Sequence, residues 1–496
     1  MFLLQELRVD VTRVQSATFD KEVRLQAFGA SSARGDRNLG DRHVSETRRV
    51  SRRGTMAGTM SVAIALTACS TDRVLEAGVS PPLPVDTGLR TLIESIGEGI
   101  GPGIEVAGER LNGGLLRRFY ARRGYEPVWS TRPGQARALI DTVLRARDHG
   151  LDPELFHASL LRDGLLRDGQ ALPVLHREVL LSDAVLNYAD ALARGAVPVE
   201  RRRRDETLIP VPVDVAELLD RAMAGPDPAA AIEALAPATS SYRVLRAALQ
   251  AYRSATGPGG MASPARIKAI EVNLERQRWL PRPLPADRVW VNVADEQLVM
   301  YRADRAAITT RVVVGEDLEH NQSPEFSTTI DASFYNPPWV IPADIAAAEI
   351  LPRLVRDPEY LTRNKMVILA NGEVEQLPGP DAGLGLVMFD MPNPFDVYLH
   401  DTPERSVFLR ENRRISHGCI RVQNPRELAA LLMEQSVDTI DQGIATGNTT
   451  RNALPSPVPV FVVYQTAFLD TGGALQFRPD FYSRDPAIWR QLQRRV

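Results

Sequence analysis

The sequence predicts an α+β multidomain protein in which an all-α region, here called the scaffold, precedes a mainly β region. The chain has 496 residues, too many for one ordinary hydrophobic core, so two or three folded units are expected. Helical periodicity prevails over residues 115–256, whereas short runs rich in β-branched residues prevail over residues 264–466. Residues 467–496 are predicted to be a C-terminal extension.

The N-terminal region has the pattern of a secretion signal rather than of a folded domain. A basic stretch, Arg48–Arg53, is followed by the uncharged stretch Met56–Ala68, which is too short to span a bilayer. Signal peptides begin at the N-terminus, yet a polar segment without apolar periodicity precedes this one. We therefore expect residues 50–68 to be the signal peptide and residues 1–49 to be a non-native or disordered extension.

The signal-like stretch ends in Leu66-Thr67-Ala68-Cys69, which resembles the lipobox of bacterial lipoproteins. This resemblance implies that Cys69 is lipidated and anchors the mature protein to a membrane of the cell envelope, on the periplasmic side. The alternative is a buried cysteine in an apolar helix. Proline and glycine are frequent in residues 69–114, which indicates a linker, with a short helix expected over 92–96.

The scaffold region shows repeated apolar faces at helical spacing. Leu139, Ile140, Val143 and Leu144 share one face, and Gly150 punctuates the region after them. This pattern predicts an all-α domain.

The mainly β region begins with a helix at residues 264–278 and continues with hairpins. Strands are predicted at 289–293, 298–301, 308–314, 328–335, 397–400 and 458–464, and helices at 342–356 and 424–435. Asn424 is predicted to cap the last of these helices, with Glu427 completing a capping box.

The chain has two cysteines, Cys69 and Cys419, in very different surroundings, so a disulfide framework is excluded. Cys419 lies in Ser416-His417-Gly418-Cys419-Ile420-Arg421, and His400 ends a predicted strand upstream. A free thiol with a pKa of about 8.5 is only slightly ionised at neutral pH, so it needs a neighbouring imidazole to take its proton. His400 is the predicted base for a Cys419 nucleophile.

The residues around Cys419 suggest further roles. On an extended strand, His417 would share a side with Cys419, which makes it a candidate catalytic residue. Gly418 allows close approach of a substrate carbonyl, and the N–H groups of Gly418 and Cys419 are candidate oxyanion donors, with Ser416 in support. Arg421 is predicted either to bind a substrate carboxylate or to pair with Asp401.

Two other classes of function are disfavoured. His400, His417 and Cys419 could be zinc ligands, but structural zinc needs four, and no further cysteine or close histidine is available, so no metal is expected. The formal net charge is −3, and the basic run at 201–204 is followed at once by two acidic residues. The sequence therefore predicts no nucleic-acid partner.

The segment from His400 through Arg421 resembles the signature of YkuD-type L,D-transpeptidases. Asn336-Pro337-Pro338-Trp339, together with Leu116–Tyr120 and His149–Pro153 in the helical region, is similar to the large YcbB-like branch with a scaffold domain. The resemblance covers roughly residues 115–485. A peptidoglycan-binding module is often present between the two domains in this branch, but here only residues 255–263 occupy that place.

The resemblance implies that Cys419 attacks the carbonyl of the third residue of a peptidoglycan tetrapeptide stem and releases D-alanine. An amine of a second stem then resolves the thioester and gives a 3→3 cross-link, without a cofactor. Other cell-wall synthases are conceivable partners. Two alternatives stay open at this point, namely an L,D-carboxypeptidase or hydrolase on the same stems and a non-catalytic peptidoglycan-binding lipoprotein.

The resemblance also implies a capping segment over the active site within residues 342–396. Trp339 and Tyr398 are candidate substrate-binding residues, either in the core or on the wall of the cleft.

Overall fold

The computed structural model describes residues 85–96, 105–166, 172–255 and 263–493. The predicted extension, the signal peptide and Cys69 lie outside the described residues. Within these ranges, no helix is both long and apolar enough to cross a membrane.

The first part of the described chain is helical, which confirms the predicted all-α region. Its helices are α1 (Val85–Ser95), α2 (Gly113–Ala121), α3 (Pro133–Leu144), α4 (Ala158–Leu166), α5 (Val174–Arg194), α6 (Val215–Ala224), α7 (Pro228–Glu233) and α8 (Ser240–Ser254). Helices α1 to α7 share one hydrophobic core, to which Phe119 and Tyr188 contribute fully buried rings. Helix α8 buries Tyr242 and Leu245 in a second cluster.

Helix α1 lies inside the stretch predicted to be a linker, and it is longer than the short helix expected there. Its residues Leu89 and Ile93 are fully buried in the scaffold core, as is Val106. This part of the chain is therefore folded against the scaffold rather than serving only as a spacer.

A single polar helix, α9 (Pro264–Arg278), connects the scaffold to the catalytic region and is buried over its last nine residues. Its Glu275 pairs with Arg278 at 2.8 Å and accepts a hydrogen bond from the Val197 N–H of the scaffold at 2.8 Å. Gly195 has a φ of +97°, and a Cβ there would lie 2.6 Å from Glu275 Oε1, so only glycine fits. Buried charge and close packing thus join the two regions.

The catalytic region is mainly β, as predicted. Its strands are β1 (Arg288–Asn292), β2 (Gln297–Arg302), β3 (Arg305–Gly315), β4 (Phe326–Tyr335), β5 (Trp339–Ile341), β6 (Met366–Ile368), β7 (Val374–Gln376), β8 (Val387–Asp390), β9 (Leu399–His400), β10 (Arg414–Ser416), β11 (Ile420–Val422), β12 (Thr450–Val463), β13 (Ala467–Leu469) and β14 (Leu475–Phe477). Its helices after α9 are α10 (Ala343–Ile345), α11 (Leu351–Arg356), α12 (Tyr360–Arg363), α13 (Pro425–Met433), α14 (Val437–Ala445) and α15 (Asp485–Leu492).

The main sheet is closed into a barrel. Its strand order is β10-β3-β11-β9-β8-β4-β12-β1-β2, and β2 also pairs with β3, which closes the ring. Side chains alternate between the two faces of each strand, so Val289 and Val291 point into the barrel core while Trp290 lies on the outer face. The same alternation decides which side chains of β9 and β11 reach the outer surface.

Residues 339–376, here called the cap, form a small layer with a hydrophobic cluster of its own. Strands β5, β7 and β6 make a three-stranded sheet, and a π-helical turn over Ala346–Ile350 links α10 to α11. The cluster buries Ile341 and Ile350, with Trp339 packed against it.

Two elements near the C-terminus differ from expectation. Asn424 precedes α13, but its side chain makes no capping bond to the helix; its Oδ1 instead accepts from Thr310 Oγ1 at 2.8 Å. The capping-box prediction is therefore wrong, because a strand residue competes for the Asn424 side chain. The predicted C-terminal extension carries Tyr482 and Arg484, which are both buried.

Candidate active site

Strand register places the predicted catalytic residues together on the outer face of the barrel. Strands β9 and β11 are parallel neighbours, with Leu399 opposite Ile420 and His400 opposite Arg421. Leu399 and Ile420 fill the barrel core, so His400 and Arg421 share the opposite face. The Ile420 N–H donates to the Tyr398 carbonyl at 2.9 Å, which brings Cys419 beside Tyr398 at the start of this pair.

Cys419 ends a tight turn, residues 416–419, here called the cysteine turn. Ser416 Oγ donates to the Cys419 carbonyl at 2.6 Å and accepts from the Gly418 N–H at 3.2 Å. Gly418 has a φ of +113°, a conformation that side-chain-bearing residues rarely adopt. The chain therefore turns between β10 and β11 and does not continue as a strand.

This turn corrects two predictions. Alternation along a strand does not apply to His417 and Cys419, because the segment between them bends. The Gly418 N–H is bound to Ser416 Oγ and is not available as an oxyanion donor. The Cys419 N–H donates no hydrogen bond within the described part of the chain, so it keeps the predicted role of an oxyanion donor.

A second layer of polar contacts supports the cysteine turn, and no pattern in the sequence predicted it. Ser323 Oγ donates to the Gly418 carbonyl at 2.7 Å and accepts from the Gly315 N–H at 2.9 Å. The Tyr482 hydroxyl donates to the Gly315 carbonyl at 2.5 Å, and Arg484 Nη2 donates to the Ser323 carbonyl at 3.0 Å. Residues close to the C-terminus thus fix the backbone next to Cys419.

The surroundings of the Cys419 thiol favour its protonated form. Burial raises the pKa of this thiol above its ordinary value, and the backbone of Tyr398 and the charge of Arg421 lower it only in part. Its sulfur contacts the Asp396 carbonyl at 3.7 Å, to which it can donate weakly. Ionisation of Cys419 therefore requires a base.

His400 has the properties of that base. Its Nδ1 lies 2.6 Å from the Asp401 carbonyl, which only accepts, so Nδ1 carries the proton of the neutral ring and Nε2 is the acceptor. Burial, with the charge of Arg421, lowers the pKa of His400 to about 4, against the opposing effect of the Asp401 and Leu384 carbonyls. No hydrogen bond joins His400 to Cys419 among the described contacts, and such bonds often form only with substrate present.

His417 occupies a different place from His400. Its side chain is 43% exposed, and its Nε2 lies 3.1 Å from Glu349 Oε1 in the cap. It therefore links the cysteine turn to the cap rather than lying between Cys419 and His400.

Arg421 forms no ion pair with the other described residues, although the charge of Glu404 is close enough to favour its ionised form. Its Nε is buried and has no hydrogen-bond acceptor within the described residues, and burial lowers the pKa of its guanidinium. Asp401 pairs with Arg405 at 2.8 Å, so the predicted alternative of an Arg421–Asp401 pair is wrong. An anionic group of a ligand would satisfy Arg421.

The two remaining candidates, Tyr398 and Trp339, lie in different parts of the catalytic region. Tyr398 packs partly against the barrel core, and its pKa is raised by burial and by the nearby Asp396. Trp339 belongs to the cap, where a Cβ on Gly383 would lie 2.9 Å from its ring. Tyr398 therefore borders the thiol directly, whereas Trp339 serves mainly the core of the cap.

Two family models match the chain in the order that the fold suggests. Residues 286–460 match the L,D-transpeptidase catalytic domain of the YkuD family, and residues 114–249 match the scaffold domain. The chain therefore carries a YkuD-type L,D-transpeptidase catalytic domain behind a scaffold domain.

The similar proteins include one curated relative with a comparable layout. A Haemophilus influenzae protein that bears the provisional name of an L,D-transpeptidase is 27% identical over 410 residues, which cover 75% of this chain and 78% of that protein.

Solved structures with partial similarity include an L,D-transpeptidase from Mycobacterium smegmatis, with 14% identity and a TM-score of 0.21. That match covers 36% of this chain and 58% of the other. L,D-transpeptidase 1 of Mycobacterium tuberculosis gives 12% identity, a TM-score of 0.18, and coverage of 36% and 61%. This chain thus spans less than two thirds of each of these structures.

Proposed function

We propose that this protein is a cysteine-dependent L,D-transpeptidase that forms 3→3 cross-links between peptidoglycan stem peptides through a Cys419 thioester. The observation that carries the proposal is the register of β9 and β11, which sets His400 and Arg421 side by side next to Cys419. The match to the L,D-transpeptidase catalytic domain supports the choice of substrate.

In the first half of the reaction, His400 Nε2 takes the thiol proton and the thiolate attacks the carbonyl of the third stem residue. The Cys419 N–H stabilises the oxyanion that develops on this carbonyl. His400 then returns its proton to the nitrogen of D-alanine, which leaves as a free amino acid. Because its pKa is lowered to about 4, the His400 imidazole is unprotonated at neutral pH, and its Nε2 lone pair is free.

In the second half, an amine of another stem attacks the thioester and His400 removes a proton from it. The new amide forms, and Cys419 leaves and is reprotonated. One amide is exchanged for another, so no nucleotide is needed. The guanidinium of Arg421, which lies beside His400 and forms no ion pair with the other described residues, binds a stem carboxylate.

The decisive experiment incubates the full chain in detergent with a disaccharide-tetrapeptide and follows the products by mass spectrometry, with Cys419→Ala as control. We expect a cross-linked dimer with loss of one D-alanine, absent for Cys419→Ala. A trimmed tripeptide alone would favour the carboxypeptidase, and no Cys419-dependent product would favour the binding protein.

Arg421→Lys tests the role of the guanidinium in the same assay. Lysine keeps the charge but not the planar donor geometry, so we expect turnover to fall by about tenfold or more. A stem amide in place of the carboxylate should lower wild-type turnover and leave Arg421→Lys almost unchanged. Equal losses for both proteins would argue against this contact.

The cellular location of the protein is proposed from its N-terminal sequence. The lipobox-like sequence before Cys69 favours a lipid-anchored protein on the periplasmic side of the cell envelope. Cys69→Ala should move the protein from the membrane fraction to the soluble periplasmic fraction. A wild-type protein without a lipid-modified peptide at Cys69 would contradict this anchor.

A further inference from the structure

A segment of the scaffold, residues 203–207, here called the bridging segment, pairs with the chain that leads into β4. The Glu325 N–H donates to the Asp205 carbonyl at 2.6 Å, and the Thr207 N–H donates to the Glu325 carbonyl at 2.8 Å. These two bonds form a parallel bridge. The scaffold main chain is thereby fixed two residues from Ser323, whose hydroxyl supports the cysteine turn.

A single buried side chain, that of Arg484, connects the bridging segment to this support. Its Nη2 donates to Asp205 Oδ2 at 2.7 Å and to the Ser323 carbonyl at 3.0 Å. The other oxygen of Asp205 accepts from Arg203 Nε at 3.0 Å, so the carboxylate is oriented by its own segment. A chain of hydrogen bonds therefore runs from the scaffold through Arg484 and Ser323 to the Gly418 carbonyl of the cysteine turn.

Asp205 supplies the closest negative charge to Arg484, whose side chain is fully buried. A buried guanidinium is costly without a carboxylate partner, and removal of that partner leaves the charge uncompensated. The remaining acceptors are weaker, because Glu325 at 3.4 Å is shared with Arg276 and Gln322 at 3.3 Å is neutral. Loss of the Asp205 charge should therefore draw the guanidinium toward Glu325 and weaken its bond to the support of the cysteine turn.

We propose that Asp205, a residue of the scaffold, is a positioning residue for the reaction at Cys419. Through Arg484 and Ser323 it keeps the cysteine turn in the conformation that presents the thiol to the stem peptide. This inference rests on the proposed function and adds to it, because it gives the scaffold a part in catalysis. Asp205 acts through these residues and makes no hydrogen bond to Cys419 or His400.

The first test compares two aspartates that each pair with an arginine. Asp205→Asn keeps the size of the side chain and removes its charge. For D-alanine release from a disaccharide-tetrapeptide by the full chain in detergent, we expect kcat to fall about three- to tenfold, with KM within about twofold. An unaltered kcat, or a rise in KM alone, would overturn the proposal.

Asp220→Asn is the matched control for this variant. Asp220 pairs with Arg123 at 2.5 Å inside the scaffold, and its side chain is exposed to nearly the same extent as that of Asp205. The control should also lower the thermal stability but leave kcat unchanged. An equal fall of kcat in both variants would show a general effect of scaffold stability and would overturn the proposal.

A double variant tests the route through Ser323. Ser323→Ala removes the hydroxyl that binds the Gly418 carbonyl, so a further change at Asp205 then has little left to disturb. The kcat of Asp205→Asn combined with Ser323→Ala should lie within about twofold of that of Ser323→Ala alone. A loss equal to the product of the two separate losses would show independent effects and would overturn the proposal.

Amide hydrogen exchange reports on the turn without any substrate. The N–H groups of Gly418 and Ile420 are both hydrogen-bonded, so they should exchange slowly in the wild type. We expect the peptide containing residues 416–420 to exchange faster in Asp205→Asn and at the wild-type rate in Asp220→Asn. Equal rates in the two variants would overturn the proposal.

The exchange measurement also separates this proposal from the proposed function, because it needs no chemistry at Cys419. A wild type that forms no Cys419-dependent product would reject only the transpeptidase, and the exchange rates would still decide the role of Asp205. Turnover by the wild type, with unchanged exchange and kcat in Asp205→Asn, would reject only the role of Asp205.

Discussion

The cysteine turn and the cap are stabilised by different kinds of contact. The cysteine turn is held by hydrogen bonds from Ser416 and Ser323, with Tyr482 and Arg484 behind them. The cap rests on a small cluster of its own and exposes apolar side chains, among them Val340, Leu351, Val355 and Ile368. This contrast indicates that the position of the thiol is determined by the barrel and not by the cap.

The largest expected effect comes from the base. His400→Gln should lower Cys419-dependent turnover by about 10²–10⁴-fold, because the thiol then lacks a proton acceptor. The rate of Cys419 acylation by the tetrapeptide, followed by mass spectrometry, is the measurement. His417→Gln is the control. A loss of turnover as large as that of His400→Gln would mean that both histidines take part in the reaction.

The pH dependence of stability tests the same histidine. The pKa of His400 is lowered to about 4 in the folded state from an ordinary value of 6.5, so the unfolded chain binds the proton more tightly. Its contribution to stability is therefore present above pH 6.5 and is lost as the pH falls toward 4, with a total of roughly 3 kcal/mol. Urea unfolding of the wild type and of His400→Gln across this window should show a weaker pH dependence for the variant.

A smaller effect is expected for the support beneath the turn. Ser323→Ala removes the bond to the Gly418 carbonyl and the acceptor for the Gly315 N–H, which should destabilise the fold by about 1–3 kcal/mol. Misplacement of Cys419 should also reduce kcat by roughly tenfold, with KM little changed. Ser327→Ala, at an exposed position of β4, should leave both quantities unaltered. A normal kcat for Ser323→Ala would show that the turn keeps its geometry alone.

The smallest effect should come from the link to the cap. Glu349→Gln removes the charge that faces His417, and both side chains are more than a third exposed. Exposed pairs of this kind contribute about 0–1 kcal/mol, so turnover should change by less than about fivefold. A loss comparable to that of Ser323→Ala would mean that the cap helps to position the thiol.

The sequence predicted best those features that depend on residues close together in the chain. Alternating β-branched residues predicted the hairpins of β1, β2 and β3. Cys419 was recognised from its sequence motif, and His400 from its position at the end of a predicted strand. The role of His417 could not be derived in this way, since the left-handed conformation of Gly418 breaks the alternation on which the prediction relied.

Contacts between distant positions left no comparable signal. Ser323 lies 95 positions from Gly418, and Tyr482 lies 167 positions from Gly315.

The position of Tyr482 and Arg484 near the end of the chain has a consequence for synthesis. A ribosome releases the polypeptide from its N-terminus onward, so Cys419 emerges before the residues that support its turn. The thiol acquires its final surroundings only after the chain has been synthesised beyond Arg484. A nascent or prematurely terminated chain would contain the nucleophile without the geometry that makes it useful.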